Sequence, residues 1–218
     1  SNRSNDLTYL KKGGMKGEMP QRGEKLLQDR EAKLERLIAG GINPYPSNFR
    51  RSHTTREAQE SFLAKPVDSE ITVKVAGRVM RLRQMGKASF MDIHDSEGRI
   101  QLFLQKPNLG DDYNLLGSLD LGDFIGASGR VIKTKTGEIS VEVDSLVILA
   151  KAMRPLPEKW HGLQDQETRY RQRYLDLAVN PAIHEIIRAR SRIISAIRKF
   201  LDGRGFLEVE TPVLVPVP

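Results

Sequence analysis

The 218-residue chain is 39% hydrophobic, enough for a core, and has no cysteine and a formal net charge of +7. The missing Cys excludes disulfides and thiolate metal sites, and no apolar run approaches the roughly 18 residues that a membrane span requires. The charge is uneven: residues 1–65 hold 13 Lys/Arg against 8 Asp/Glu, residues 66–150 hold 10 against 12, and residues 151–218 hold 12 against 8. An anionic partner is implied, but the middle segment is no general polyanion binder. Any anion met there depends on local placement, such as Arg78, Arg81, Arg83 and Lys87, a run that could equally be a solvated charged face.

In chain order, residues 1–23 read as a flexible arm, broken by Gly13, Gly14, Gly17 and Gly23 and without periodicity. The chain does not begin with Met, and Met15 can serve as an internal start. The polar N-terminus lacks the apolar stretch of a signal peptide, which together with the missing Cys fits a reducing, cytoplasmic setting. Residues 24–66 form a helical segment. Its first helix spans Glu24 to Ala39, with Leu27, Leu34 and Leu37/Ile38 at helical spacing and Gly40-Gly41 as the stop. A second helix starts at Thr54, where Thr54-x-x-Glu57 has the capping-box pattern. Their apolar faces pack on the next domain, and their basic outer faces could lie along a phosphate backbone.

Residues 67–150 form a β unit. In TVKVAGRVMRLR (72–83), Val73, Val75, Gly77 and Val79 share a face; beyond them the parity fails, which predicts a bulge between Gly77 and Met80 that re-aims Arg81 and Arg83. A hairpin follows: KASFMDIHD puts Met91 and Ile93 on one face and Phe90, Asp92 and His94 on the other. Asp95-Ser96-Glu97-Gly98 turns the chain. RIQLFL then sends Ile100, Leu102 and Leu104 inward and Arg99, Gln101 and Phe103 outward. Two aromatics beside an amide and arginines on a polar face are what stacking on an unpaired base needs. The alternative is that these rings cover a second small core. A short helical insert (Asp111 to Leu119) precedes DFIGASGRVIKT and EISVEVDSLVILA. Five strands with a helix between the third and fourth is the order of the OB-fold, a barrel that binds oligonucleotides on its second and third strands.

Residues 151–164, with Arg154-Pro155-Leu156-Pro157, read as a linker. A charged helix from Asp165 to Leu177 and a long helix opened by Asn180-Pro181 follow. Ile183, Ile186, Ile187, Ile193, Ile194, Ile197, Phe200 and Leu201 make an apolar stripe along the long helix, so it requires cover by further chain or a partner. GFLEVETP (205–212) reads as a strand. No compact domain closes by Pro218, so the sequence is expected to be the N-terminal part of a longer protein. His53, His94, His161 and His184 lack metal-ligand spacing, and no residue is a credible catalyst.

The helix followed by Gly-Phe-x-x-Val-x-x-Pro-Val-Leu (Gly205 to Leu214) resembles motif 1 of the class II aminoacyl-tRNA synthetases, and an OB-fold before it resembles the lysine, aspartate and asparagine subgroup. MGKASF (85–90), GRIQLF (98–103), KTKTGE (133–138), RPLP (154–157) and HGLQDQETRYRQRYLDL (161–177) look like the bacterial-type lysyl enzymes, over residues 24–218. The resemblance implies a mainly β OB-fold barrel with flanking helices, followed by the first helix and strand of an α+β catalytic domain from residue 165. It implies that Phe90 stacks on the central uracil of the tRNA-Lys anticodon, that Gln101 bonds its Watson–Crick edge, and that Arg83 and Glu138 make further anticodon contacts. It also implies a homodimer through motif 1, with Ile194, Ile197, Phe200, Gly205, Phe206 and Pro212 at the interface, and no membrane. The chemistry implied is two-step. Lysine attacks the α-phosphate of ATP, with Mg²⁺, to give lysyl-adenylate and pyrophosphate, and the lysyl group passes to the terminal ribose of tRNA. The residues that hold ATP, Mg²⁺ and lysine are expected beyond Pro218, so this chain is expected to bind no cofactor and to be inactive alone. A non-catalytic nucleic-acid-binding module, an aspartyl or asparaginyl relative, and a protein-interaction barrel are the other readings.

Overall fold

The computed structural model of the chain describes residues 21–64, 70–86, 88–157, 163 and 165–212. Residues 1–20 of the predicted arm, Lys87, His161 and residues 213–218, on which some expectations fall, lie outside them. The chain divides into two compact units between Pro155 and Leu156.

In the first unit, strands β1 (Thr72–Met85), β2 (Ala88–His94), β3 (Arg99–Gln105), β4 (Phe124–Lys133) and β5 (Ile139–Ala150) close a barrel in the order β1-β2-β3-β5-β4. All pairings are antiparallel except β3 with β5. Strict alternation fills the interior with Val73, Val75, Met91, Ile93, Ile100, Leu102, Leu104, Val141 and Val143, each at most 1% exposed. Each such side chain contributes roughly 1.5–3 kcal/mol. The first half of β1 pairs with β4 and the second with β2, and the register slips between Val79 and Arg81. Val79 and Met80 are consecutively buried and Arg81 and Arg83 exposed, as a bulge at Met80 requires. At a second bulge, Gly129 brings its backbone so close to Glu142 that an added Cβ would stand 2.0 Å from the Glu142 carbonyl oxygen. Only glycine fits there.

The insert begins earlier than the sequence suggested: helix α3 (Lys106–Leu109) runs into a 3₁₀ segment, Gly110–Ser118, and buries Leu109, Leu116 and Leu119. Helices α1 (Gln21–Ala39) and α2 (Thr55–Leu63) are tied to the barrel by polar contacts as much as by apolar ones. On α1, buried Arg30 donates to the carbonyl oxygens of Leu121, Ala152 and Arg154, and Lys33 pairs with Asp120 at 2.6 Å. Asp120 and Asp123 flank the buried ammonium of Lys151 at 2.5 and 2.7 Å. Burial alone would raise the Asp120 carboxyl, but the hydrogen bonds and charges of Lys151 and Lys33 outweigh it and hold it below the usual range. The predicted capping box of α2 is complete, with Thr54 accepting from the Glu57 amide and Glu57 from the Thr54 amide.

In the second unit, the expected single helix from Asp165 to Leu177 is two: α4 (Gln166–Arg171), capped by Asp165, and α5 (Arg173–Val179), separated where Gln172 leaves helical dihedrals. The buried Asp176 carboxylate accepts from Arg169 before the break and from Arg173 and Asn180 after it, which compensates for the lost helical bonds. The long helix α6 spans Pro181–Asp202. Residues 205–212, expected to form a strand, do not: a strand needs a ladder partner, and no described residue forms a ladder with them.

Candidate nucleic-acid interface

The outer face of β1, β2, β3 and β5 is built in rows by the strand register. Arg83 pairs with Phe90 and Phe90 with Phe103; in the next row Arg81 pairs with Asp92, Asp92 with Gln101 and Gln101 with Ser140. The Phe90 and Phe103 rings stack with centroids 5.1 Å apart and 25° between planes, an offset arrangement that aromatic quadrupoles favour. Both rings are half-buried and stand outside the barrel's buried core. They are supported by each other.

Gln101 lies deeper than an outward residue of a strand usually does, at 6% exposure. Its Oε1 accepts from the Ser140 hydroxyl at 3.0 Å, and its Nε2 donates to Glu138 Oε2 at 3.1 Å. The other Glu138 oxygen accepts from Arg99 at 3.3 Å, and Arg99 also lies 3.7 Å from Asp92, itself 6% exposed. KTKTGE places Glu138 by turn chemistry. The Gly137 amide donates to Thr134 O at 2.9 Å with φ +88 at Gly137, and the Thr134 hydroxyl accepts from the Glu138 amide at 3.2 Å. The hairpin between β2 and β3 is pinned from outside: Asp95 accepts from the amide and hydroxyl of Thr55 and from the Glu97 and Gly98 amides, all at 2.7–3.0 Å. Burial pushes the Asp95 carboxyl up, but these donors together hold it below the ordinary carboxylate range.

The fold thus brings all four residues singled out on the barrel to one face, Arg83 beside Phe90 and Gln101 hydrogen-bonded to Glu138. Such a face offers a stacking platform, a cation, and an adjacent donor and acceptor. Sequence reasoning missed the roles of Arg99, Asp92 and Ser140. Alternation already put Arg99 and Asp92 on this face, and Ser140 is a small polar residue set between Ile139 and Val141 in β5. In the second unit, Ile194, Ile197 and Phe200 on α6, and Gly205, Phe206 and Pro212 after it, are all exposed, Ile197, Phe200 and Phe206 by more than half. Ile194, Ile197, Leu201 and Phe206 line a groove between α6 and the segment that follows. Among the described residues no group of three or more His, Cys, Asp or Glu stands close enough together to hold a metal ion.

Residues 73–149 match the family of OB-fold nucleic acid binding domains, and residues 165–218 match the tRNA synthetases class II (D, K and N). The chain therefore carries an OB-fold anticodon-binding domain followed by the start of a class II tRNA synthetase domain. It is 52% identical over 193 residues to the lysine–tRNA ligase of Carboxydothermus hydrogenoformans, covering 88% of this chain and 39% of that protein. It is 50% identical over 206 residues to the lysine–tRNA ligase of Thioalkalivibrio sulfidiphilus, covering 92% and 41%. The chain spans about two fifths of the length of the curated relatives it matches.

Proposed function

We propose that this protein acts as a lysine–tRNA ligase and that its barrel reads the U-rich tRNA-Lys anticodon. The observation that carries the reading is the single face on which Arg83, the Phe90–Phe103 stack and the Gln101–Glu138 pair lie together. Phe90 stacks on the central base, which contributes on the order of 1–3 kcal/mol but little selectivity. Discrimination falls to the Gln101 amide and the Glu138 carboxylate, which meet the Watson–Crick edge, and Arg83 meets a phosphate or a flanking base. Lysine activation with ATP and Mg²⁺, and transfer to tRNA, belong to the class II domain that residues 165–218 begin. By the same reading the apolar face of α6 and the segment through Pro212 pairs two copies into a dimer, which accounts for exposed Ile197, Phe200 and Phe206. A cytoplasmic setting follows from the reaction; no described helix is long and apolar enough to cross a membrane.

Phe90→Ala and Gln101→Ala are expected to weaken binding of a lysine anticodon stem-loop, Phe90→Ala by roughly 5- to 150-fold, while the barrel stays folded. Titration at one fixed salt concentration tests this; unchanged affinity in both variants would overturn the assignment. The chain itself is expected to support no ATP–pyrophosphate exchange, and exchange activity would show that the activation chemistry lies within it.

A further inference from the structure

The Gln101 amide can seat in either of two orientations, which present opposite hydrogen-bonding groups to an incoming base. The structure contains two reasons for the one observed. Glu138 Oε2 lies 3.1 Å from Nε2, and exchanging the amide nitrogen and oxygen would set two acceptors against each other there. On the inner side, the Ser140 hydroxyl, 0% exposed, donates to Oε1 at 3.0 Å; its alternative acceptor, the Glu138 carbonyl, is farther at 3.4 Å. The two restraints differ in what happens when a base arrives. A base edge that meets both Nε2 and Glu138 replaces their mutual bond, so Glu138 stops orienting the amide. Glu138 itself stays restrained through Arg99, 3.3 Å from its other oxygen. From then on the buried hydroxyl alone fixes which end of the amide faces out.

We propose that Ser140 is a positioning residue for base selection: by holding Gln101 Oε1 inward, it makes the outward face of the Gln101–Glu138 pair an N–H donor beside a carboxylate acceptor. This rests on the anticodon reading and specifies its chemistry. A donor beside an anionic acceptor fits a keto oxygen next to an imino N–H, the edge of uracil among pyrimidines. Cytosine sets its amino group against Nε2 and its N3 lone pair against the carboxylate. Without the Ser140 hydroxyl, Oε1 is left buried without its donor, the amide can turn, and its oxygen then accepts from the cytosine amino group. Loss of Ser140 therefore reduces discrimination more than it reduces binding.

The test uses the whole chain and two probes, the lysine anticodon stem-loop and the same hairpin with its central U replaced by C, with Kd measured for both at one salt concentration. The ratio of the two constants is taken on one protein preparation, so partial unfolding cancels from it. The parent chain is expected to favour U by roughly tenfold or more, Ser140→Ala to lose part of that preference, since the cytosine N3 lone pair still faces the Glu138 carboxylate, and Ser140→Thr, which keeps the hydroxyl, to regain it. A Ser140→Ala ratio equal to the parent's would overturn the positioning role while leaving the anticodon reading intact. A lost preference that Ser140→Thr does not restore would assign the effect to packing and also overturn it. If the parent chain has no preference, the anticodon reading itself fails.

Discussion

Phe90 stands half-buried on the barrel surface with a second ring stacked on it, and that support decides how it can work. An exposed phenyl on a strand samples rotamers freely; one stacked on Phe103 is held in one orientation, so on the anticodon reading less freedom is lost when a base lands on it. Phe103→Leu keeps a hydrophobic side chain but removes the stack, which is worth about 0.5–1.5 kcal/mol. Stem-loop affinity is expected to fall several-fold, less than for Phe90→Ala, and equilibrium titration of the two variants side by side checks the order. A Phe103→Leu loss as large as that of Phe90→Ala would make Phe103 the primary platform. Both rings and Gln101 were legible in the sequence because the pleat imposes a period of two, and polar-face aromatics break it visibly. The bonds of Gln101 to Glu138 and Ser140 were not, since β3 and β5 meet in parallel and the partners stand 37 and 39 positions apart in sequence. No local pattern encodes an interaction of that kind.

At the level of elements, α2 and the β2–β3 turn are one unit joined through Asp95. Its carboxylate satisfies the Thr55 amide and hydroxyl at the start of α2 as well as two amides of the turn. Because the folded carboxyl is held below its unfolded value, the unfolded chain binds the extra proton in the window between the two. The stabilisation is therefore fully present above about pH 4 and is lost as pH falls through the native value. Asp95→Asn is expected to lower stability near neutrality by about 1–3 kcal/mol and to flatten the acid limb of the stability curve, which denaturant titrations between pH 3 and 7 would reveal. An acid limb as steep as the parent's would place that sensitivity elsewhere, for instance at Asp120. The capping box of α2 and the bulge in β1 could be read ahead of the structure because each is a local rule of a few residues. The break at Gln172 and the missing strand at 205–212 could not, because each depends on partners: a buried carboxylate that gathers both sides of the break, and a ladder neighbour that no described residue supplies.

On the anticodon reading, charge attraction and base selectivity are carried by different segments. Residues 66–150 hold 10 Lys/Arg against 12 Asp/Glu, while residues 1–65 and 151–218 carry the excess of cations. Arg50 and Arg56, exposed before and on α2, are expected to act on phosphates rather than bases. Replacing both with Ala should weaken all stem-loops alike and reduce the salt slope by about one for each phosphate no longer neutralised. A change confined to one anticodon sequence would place these arginines at the bases instead. The exposed apolar face of α6 makes a separate prediction. The chain is expected to self-associate in sedimentation, and Ile197→Asp to return it to monomer; a parent chain that stays monomeric would count against the dimer. The most direct measurement is a competition on the parent chain between lysine anticodon stem-loops with U and with C at the central position, at one salt concentration. The Gln101–Glu138 face predicts that the U-bearing hairpin displaces the C-bearing one with roughly tenfold or greater preference; equal displacement by the two, or no binding of either, would contradict it.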